Sequence, residues 1–390
     1  MRAEMKVLVA NAGDLNSWQN APLQQPFDPL ILSFLSALSA HLLRHYREHS
    51  ELVALGFWLR DSQVAALQQR LPAGYFKPVG RVLHITPNNV DTMFAYSWVC
   101  ALVMGNNSLV RIGQPDAEQV NLLLSAIDAI FAEQRFAPLA AGNAFVHYPR
   151  DSQFSAQVSA QVDARVLWGG DDTVNAIRAL ACQPRCRDIS FADRYSAALI
   201  QGDALTDDTA ISDLADSLWR DTQPYFQQAC SSPRVLFWLG DTAAMSPLMT
   251  ALEKHANNVV GQSIEWANNQ LVYEQLLRNQ DPGARTVHRS GVCGICVEQF
   301  HPTMLQWHLG QGCFVIQTLN TMNELPQRID AKLQTLSYHG VEKAALVKLC
   351  EDPSITGIDR IVPVGRALDF SPLWDGYDVL TQLSRQIVLE

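Results

Sequence analysis

Cys230 is the residue whose type and setting most invite chemistry. It stands in Phe226-Gln227-Gln228-Ala229-Cys230-Ser231-Ser232-Pro233-Arg234, directly before the apolar run Val235-Leu236-Phe237-Trp238-Leu239. The thiolate is the attacking form, so a nucleophilic cysteine needs an accessible, polar setting, and small polar neighbours at a helix-to-strand junction supply one. A free cysteine is otherwise a common core residue, and residue types alone leave both readings open. Asn88 and Asn89 follow a β-rich run and precede an apolar helix. An amide there is placed to donate to the oxyanion formed when a carbonyl is attacked, or to cap the next helix as an Asx turn. Gly169-Gly170 lies between the strand Arg165–Trp168 and a helix, where backbone amides and a helix N-terminus receive pyrophosphate. The spacing is not G-x-G-x-x-G, and Asp171 and Asp172 read as caps of that helix.

Other reactive types fit structural roles. Cys293-Gly294-Ile295-Cys296 has metal or redox spacing, but no second pair follows, and Val292–Val297 reads as a core strand. Cys182 and Cys186 likewise lack a second pair. His41, His45 and His49 share one helix face without acidic or cysteine company, the pattern of a solvated face. His84 and His339 adjoin the segments of interest and stay open as a general acid or base.

The elements that must present these residues alternate. A short strand over 5–10 precedes a helix opened by Asp28-Pro29, a capping residue with proline at the first helical position. A second periodic segment spans 52–71. Strands then fall at 81–85, 109–112, 145–148, 166–168 and 196–200, with helices over 94–104, 116–134, 152–161 and 172–182 between them. The helix over 116–134 is the clearest, with Val120, Leu123, Leu124, Ile127, Ile130 and Phe131 on one face. Strand–helix alternation predicts a parallel sheet covered on both faces. After residue 202 the pattern restarts with a helix over 209–219 and the strand 235–239. The expected division is 1–202, 203–365, and a C-terminal segment 366–390 that returns to the first domain or an oligomer contact.

A chain of 390 residues, 48% hydrophobic and 17% charged, suits two folded domains. Its formal charge of −10 argues against nucleic acid or an anionic membrane as the main partner, since both need a dominant positive field. The N-terminus lacks a signal-peptide core, and no apolar run reaches membrane-spanning length. Eight cysteines without a secretory signal point to free thiols in a cytoplasmic protein.

Together these residues resemble the aldehyde-dehydrogenase superfamily, and within it the LuxC-type acyl-CoA (fatty acid) reductases. His84-Ile85-Thr86-Pro87-Asn88-Asn89 … Gly105-Asn106-Asn107-Ser108-Leu109-Val110-Arg111 looks like that superfamily's Pro-Trp-Asn … Gly-Asn … Lys stretch. The resemblance makes Asn89 the oxyanion donor and Arg111 the adenosine-ribose contact, with Gly169 and Gly170 under the pyrophosphate. Gln227 to Pro233 is similar to the nucleophile segment of the LuxC branch, as are 54–60, 360–368 and 374–377 to other parts of it. Gln114 lies where many members carry a Glu that repels a 2′-phosphate, which implies NADPH. The hydrolytic enzymes' Glu-Leu-Gly-Gly is replaced by Ser190-Phe191-Ala192-Asp193-Arg194, so the Glu that activates water is missing. Their later Glu-Ile-Phe-Gly-Pro is replaced by Gly310-Gln311-Gly312-Cys313-Phe314. The resemblance implies two Rossmann-like parallel-sheet domains with a cleft between them. It implies a homo-oligomer that reduces fatty acyl-CoA, or the acyl group of an acylated synthetase partner, through a Cys230 acyl-enzyme. Hydrolytic aldehyde oxidation and non-redox acyl relay are the alternatives.

Overall fold

The strand expected at 81–85 is Arg81–Ile85, β3 in a series that begins with β1 (Lys6–Val7) and β2 (Tyr75–Pro78). It continues with β4 (Asn107–Arg111), β5 (Asn143–His147), β6 (Ala164–Trp168) and β7 (Arg187–Phe191). The computed structural model describes residues 5–87, 89–150, 152–259 and 264–390. The chain divides into two compact units, Met1–Asp193 with Phe370–Glu390, and Arg194–Asp369.

The first unit holds a six-stranded sheet in the order β1-β5-β4-β3-β6-β7, parallel except for β1. Its strands read as near-continuous apolar runs because helices cover both faces. The helix Met93–Val103 is buried from Phe94 to Val103, as an all-apolar helix must be. The helix Glu118–Phe131 buries the predicted face. The periodic segment 52–71 is two helices, Ser50–Trp58 and Asp61–Gln69, because the chain turns at Leu59-Arg60. Gly105-Asn106 is a packing device. A Cβ on Gly105 would come within 2.2 Å of the Gln24 carbonyl, and the Asn106 amide bonds Gly80 N, Ala101 O and Leu383 O. Trp58 and Phe370 are in ring contact at 4.9 Å, and both pack on Tyr96, so two of the segments noted above meet in this unit.

The second unit contains β8 (Tyr195–Gln201), β9 (Pro233–Leu239), β10 (Arg285–Ser290), β11 (Val292–Cys296), β12 (Cys313–Leu319), β13 (Leu333–His339) and β14 (Arg360–Pro363). They form a seven-stranded sheet, β10-β11-β12-β9-β8-β13-β14, parallel except for β10. The strand over 196–200, expected to close the first domain, lies inside this second sheet. Alternation tells that a strand follows, not which sheet receives it, so the chain changes unit at Asp193-Arg194 rather than near residue 202. Cys293 and Cys296 lie buried on β11 as core residues, and the described residues hold no group of three or more side chains fit for a metal. No helix of the described residues is long and apolar enough to cross a membrane.

The segment 360–368 is a clamp. Arg360 donates to the Ala367 and Arg366 carbonyls, while the buried Asp221 carboxylate accepts from the Gly365 and Ala367 amides at 2.6 and 2.9 Å.

Candidate active site

Three strands bring the first unit's candidate residues to one edge. From β3 the chain adds β4 and β5 on one side, then crosses back to add β6 and β7 on the other. That reversal leaves a switch point between β3 and β6, and ligands of open α/β sheets sit at the strands' carboxyl ends there. Asn89 follows β3 at that edge, on an exposed bend, while Asn88 lies outside the described residues. Gly169 and Gly170 follow β6 at the same edge. Gly169 donates its N–H to the Phe191 carbonyl, and a Cβ on it would press on Thr173 at 3.3 Å. A Cβ on Gly170 meets nothing within 4 Å, so its backbone faces open space. Gly170, extended at ψ 161, is the N-cap of the helix Asp171–Arg178, which corrects the reading of Asp171 and Asp172 as caps. Both are already helical, and a capping residue must not be. Asp171 instead accepts the Asp193 N–H.

Arg111 ends β4. Its guanidinium donates to the Tyr148 carbonyl and lies 5.1 Å from the Tyr148 ring centroid. Burial lowers its pKa, and the charge of Arg150 lowers it further. Arg150, just past β5, donates to the hydroxyl of Thr173 on the helix that Gly170 caps. Two guanidinium groups thus converge beside an acidic helix N-terminus, and Arg150 was not singled out in the sequence. The signal for it was its position just past a parallel strand, after Tyr148-Pro149. Gln114 lies exposed in the loop after β4.

In the second unit Cys230 is half-buried in the turn that feeds β9, the central strand of the sheet, at its amino end. The turn is fastened on every side. The Ser196 hydroxyl at the start of β8 donates to the Cys230 carbonyl at 2.6 Å and accepts the Thr335 N–H. Ser231 donates to the Gln334 side chain on β13 at 3.0 Å. Upstream, Tyr225, Phe226 and Gln227 hold φ of 54°, 52° and 64°, a left-handed run without a glycine. Each such residue costs about 1–2 kcal/mol and persists only where its surroundings enforce it. Here the Gln227 amide, wholly buried, donates to Pro233 O and Cys313 O and accepts the Cys313 N–H. The Phe226 carbonyl accepts the Gln311 N–H at 2.8 Å, and a Cβ on Gly310 would come within 2.1 Å of that oxygen. The Gly310-Gln311-Gly312 segment therefore backs the Cys230 turn. Arg234, whose guanidinium donates to the Gln228 carbonyl, puts a cation beside the turn.

The histidines are resolved by position. His84 is wholly buried on β3, its ring nitrogens 2.8 and 3.3 Å from the Ser97 and Ser108 hydroxyls, and burial pushes its pKa down to about 3. It is a neutral core residue. His339 ends β13 five residues beyond Gln334, so at about 3.3 Å per residue it lies roughly 16 Å along the strand from the residue that holds the Cys230 turn. It is too far to serve that thiol. His308 is buried, with Nε2 donating to Cys313 O and Nδ1 accepting the Gly310 N–H; burial, then Arg234, pushes its pKa to about 3. It braces the turn in the neutral form.

Two α/β units with mostly parallel sheets define the aldehyde dehydrogenase fold. The whole chain superposes on solved structures of that class. One is assigned to an aldehyde dehydrogenase of Burkholderia cenocepacia, with a TM-score of 0.70 at 13% identity over 98% of this chain and 95% of that one. Another is the methylmalonate-semialdehyde dehydrogenase of Oceanimonas doudoroffii, at 0.68 and 15% over 97% and 88%. The lactaldehyde dehydrogenase of Escherichia coli gives 0.67 and 13% over 96% and 88%. Residues 67–263, just over half of the sequence, match the LuxC acyl-CoA reductase family, and the chain belongs to it. A curated relative, the long-chain acyl-protein thioester reductase of Photorhabdus laumondii, is 24% identical over 168 residues. That match spans 42% of this chain and only 33% of the relative.

Proposed function

We propose that this protein is an NADPH-dependent reductase that converts a long-chain acyl thioester, from CoA or an acylated protein, to the aldehyde through an acyl group carried on Cys230. The observation that carries the reading is the Cys230 turn, a half-exposed thiol held by Ser196, Gln334 and Gln227 behind a strained backbone, inside the segment that matches the family. A packing cysteine has no need of such a mount.

The first unit's residues fit a phosphorylated dinucleotide. The sheet reversal, the open backbone at Gly170 and the paired cations Arg111 and Arg150 suit pyrophosphate and a 2′-phosphate, and Gln114 adds no charge to repel the latter. Asp171 and Asp172 weaken the helix N-terminus as an anion site, so the arginines supply the attraction. When bound, the cofactor supplies the hydride.

The chain's own steps are acyl transfer to and from sulfur. The Cys230 thiolate attacks the thioester carbonyl, and the oxyanion draws on the Asn89 amide and backbone N–H groups beside Cys230. Collapse expels the donor thiol and leaves the acyl group on Cys230. After reduction, the hemithioacetal on Cys230 breaks its C–S bond, the aldehyde departs and the thiolate returns. Ser190-Phe191-Ala192-Asp193-Arg194 offers no glutamate to activate water, so the acyl-enzyme waits for reduction. The test is oxidation of NADPH with tetradecanoyl-CoA, followed by nicotinamide absorbance, with aldehyde identified as product. Thiol release without NADPH oxidation would mark an acyl relay. NADP reduction with an aldehyde and water would mark a hydrolytic dehydrogenase. The acylated synthetase as donor and the homo-oligomer are parts of the same reading.

A further inference from the structure

The helix Ile264–Gln280 of the second unit is apolar on two faces. Its inner face is fastened behind the Cys230 turn. Asn269 Nδ2 donates to Gln311 Oε1 at 3.0 Å, Gln270 Nε2 to the Gln311 carbonyl at 2.8 Å, and the Tyr273 hydroxyl to the Met304 carbonyl at 2.8 Å. Its outer face presents Ile264, Leu271, Val272 and Leu276 at helical spacing, all exposed, Val272 by 57%. From Trp266 to Leu277 the only charged residue is Glu274, and it is buried. A helix apolar all round belongs in an interior, and a face stripped of charge has the composition of an interface core.

The two ends of this strip differ. At the first, the Trp266 ring lies 6.3 Å from that of Phe226, which the left-handed run leaves 59% exposed four residues before Cys230. Leu309, also exposed, adjoins the turn, its carbonyl accepting from Gln228 Nε2 at 3.4 Å. At the far end Arg278 and Arg289, each nearly half exposed, share the one carboxylate of Glu274, which leaves a net positive charge. In a chain of formal charge −10, that is the local field an acidic partner needs. At 1.5 Å per residue, Trp266 to Arg278 spans about 18 Å. We propose that this strip docks an acidic carrier protein that presents the acyl group as a thioester on a flexible pantetheine arm.

The inference rests on the acyl-reductase reading of Cys230 and names its donor. A surface that begins at the Cys230 turn is met by whatever brings the substrate. Its length of about 18 Å sets the partner's body away from the thiol, so the thioester has to arrive on an arm. The uncharged aliphatic face takes the apolar side of a carrier helix, and the two guanidinium groups meet carboxylates on it. The transfer balances as thioester exchange. The Cys230 thiolate forms a C–S bond to the acyl carbon, the bond to the arm's sulfur breaks, and the departing thiolate takes up the proton that Cys230 released.

The experiment titrates the whole protein with holo acyl carrier protein, arm attached and no acyl group, so that calorimetry reads binding without chemistry. Turnover is then compared with tetradecanoyl carrier protein and with tetradecanoyl-CoA. Val272→Asp and Leu276→Asp should each weaken carrier binding, and kcat/KM for the carrier donor, by about tenfold or more. Turnover of tetradecanoyl-CoA should stay unchanged in both, which also shows that they fold. Arg278→Ala should weaken binding by a smaller factor and flatten its salt dependence. A wild-type protein that does not bind the carrier, or aspartate variants that bind it equally well, would overturn the proposal. So would aspartate variants that lose only a dimer in sedimentation, since that gives the face to a second copy of the chain. Failure of the reductase reading shows separately, as no NADPH oxidation with tetradecanoyl-CoA whatever the carrier does.

Discussion

The side chain of Gln227 pairs with the backbone of Cys313 as a neighbouring strand would, its Oε1 taking the Cys313 N–H at 3.0 Å and its Nε2 meeting the Cys313 carbonyl at 2.9 Å. The third bond of that amide, to Pro233 O at 2.8 Å, spans the Cys230 turn from one end to the other. A left-handed run before Cys230 is thereby pinned to the sheet. Gln227→Ala should remove three buried hydrogen bonds and cost about 2–4 kcal/mol, with turnover falling more steeply than stability alone explains. Thermal melts alongside kcat at a temperature where the variant is folded check this. A variant that melts lower with unchanged kcat would show that the mount serves only stability.

Asn89 is expected to act in the transition state. Asn89→Ala should lower kcat by about 10²–10³ with little change in KM, the usual loss for one oxyanion donor. A rise in KM alone would reassign it to substrate binding or to the bend it occupies.

On the proposed reading, cofactor choice rests on the two arginines. Arg150→Ala and Arg111→Ala should each weaken NADPH more than NADH, by about tenfold or more if a charged phosphate contact is lost. Titrating each variant with both cofactors decides it. Equal weakening for both nucleotides would place the arginines at a part the two share.

Legibility tracked how local each feature is. The helix Glu118–Phe131 and the strand Arg81–Ile85 were readable because spacing of apolar residues is a local property. The membership of Tyr195–Gln201 in the second sheet was not, since pairing is set by residues such as Thr335 and Val235 far along the chain. The helix-to-strand junction that holds Cys230 was legible from its neighbours, but the left-handed Tyr225-Phe226-Gln227 was not, because positive φ is signalled in sequence by glycine and none is present. His84 and His339 stayed open in sequence and were settled by burial and by strand length. Arg150 became visible only once β5 and the Gly170 helix shared an edge.

Stability should carry a signature of Glu51. Burial, then the charge of Asp91, raises its carboxyl to about 7. A carboxyl whose pKa is higher folded than unfolded binds more protons in the folded state, so its contribution is full at low pH. It is lost as pH rises from the ordinary value of 4.5 through about 7. Asp91, also raised by burial, adds in the same direction. The loss should be on the order of 1–2 kcal/mol after allowance for partial exposure. Melts of Glu51→Gln across that range should lack the decline seen in the wild type; the same slope in both would assign it elsewhere.

The strongest demand falls on Cys230. With no glutamate at Ser190 to Arg194 to activate water, an acyl group on Cys230 has no fast exit when NADPH is withheld. Protein mixed with tetradecanoyl-CoA alone should gain one acyl mass, located by digestion on the peptide that contains Cys230. The adduct should yield to neutral hydroxylamine as a thioester does, and should leave as aldehyde once NADPH is added. Cys230→Ala should show neither adduct nor turnover, while Cys230→Ser should acylate slowly at most, because a hydroxyl is rarely ionised and an oxygen ester accepts hydride poorly. Cys100, Cys293, Cys296 and Cys313, all buried, serve as internal controls and should stay unlabelled. If acylation survives Cys230→Ala, or maps to one of those core thiols, then the mount built by Ser196, Gln334 and Gln227 holds something other than a nucleophile, and the reductase reading fails with it.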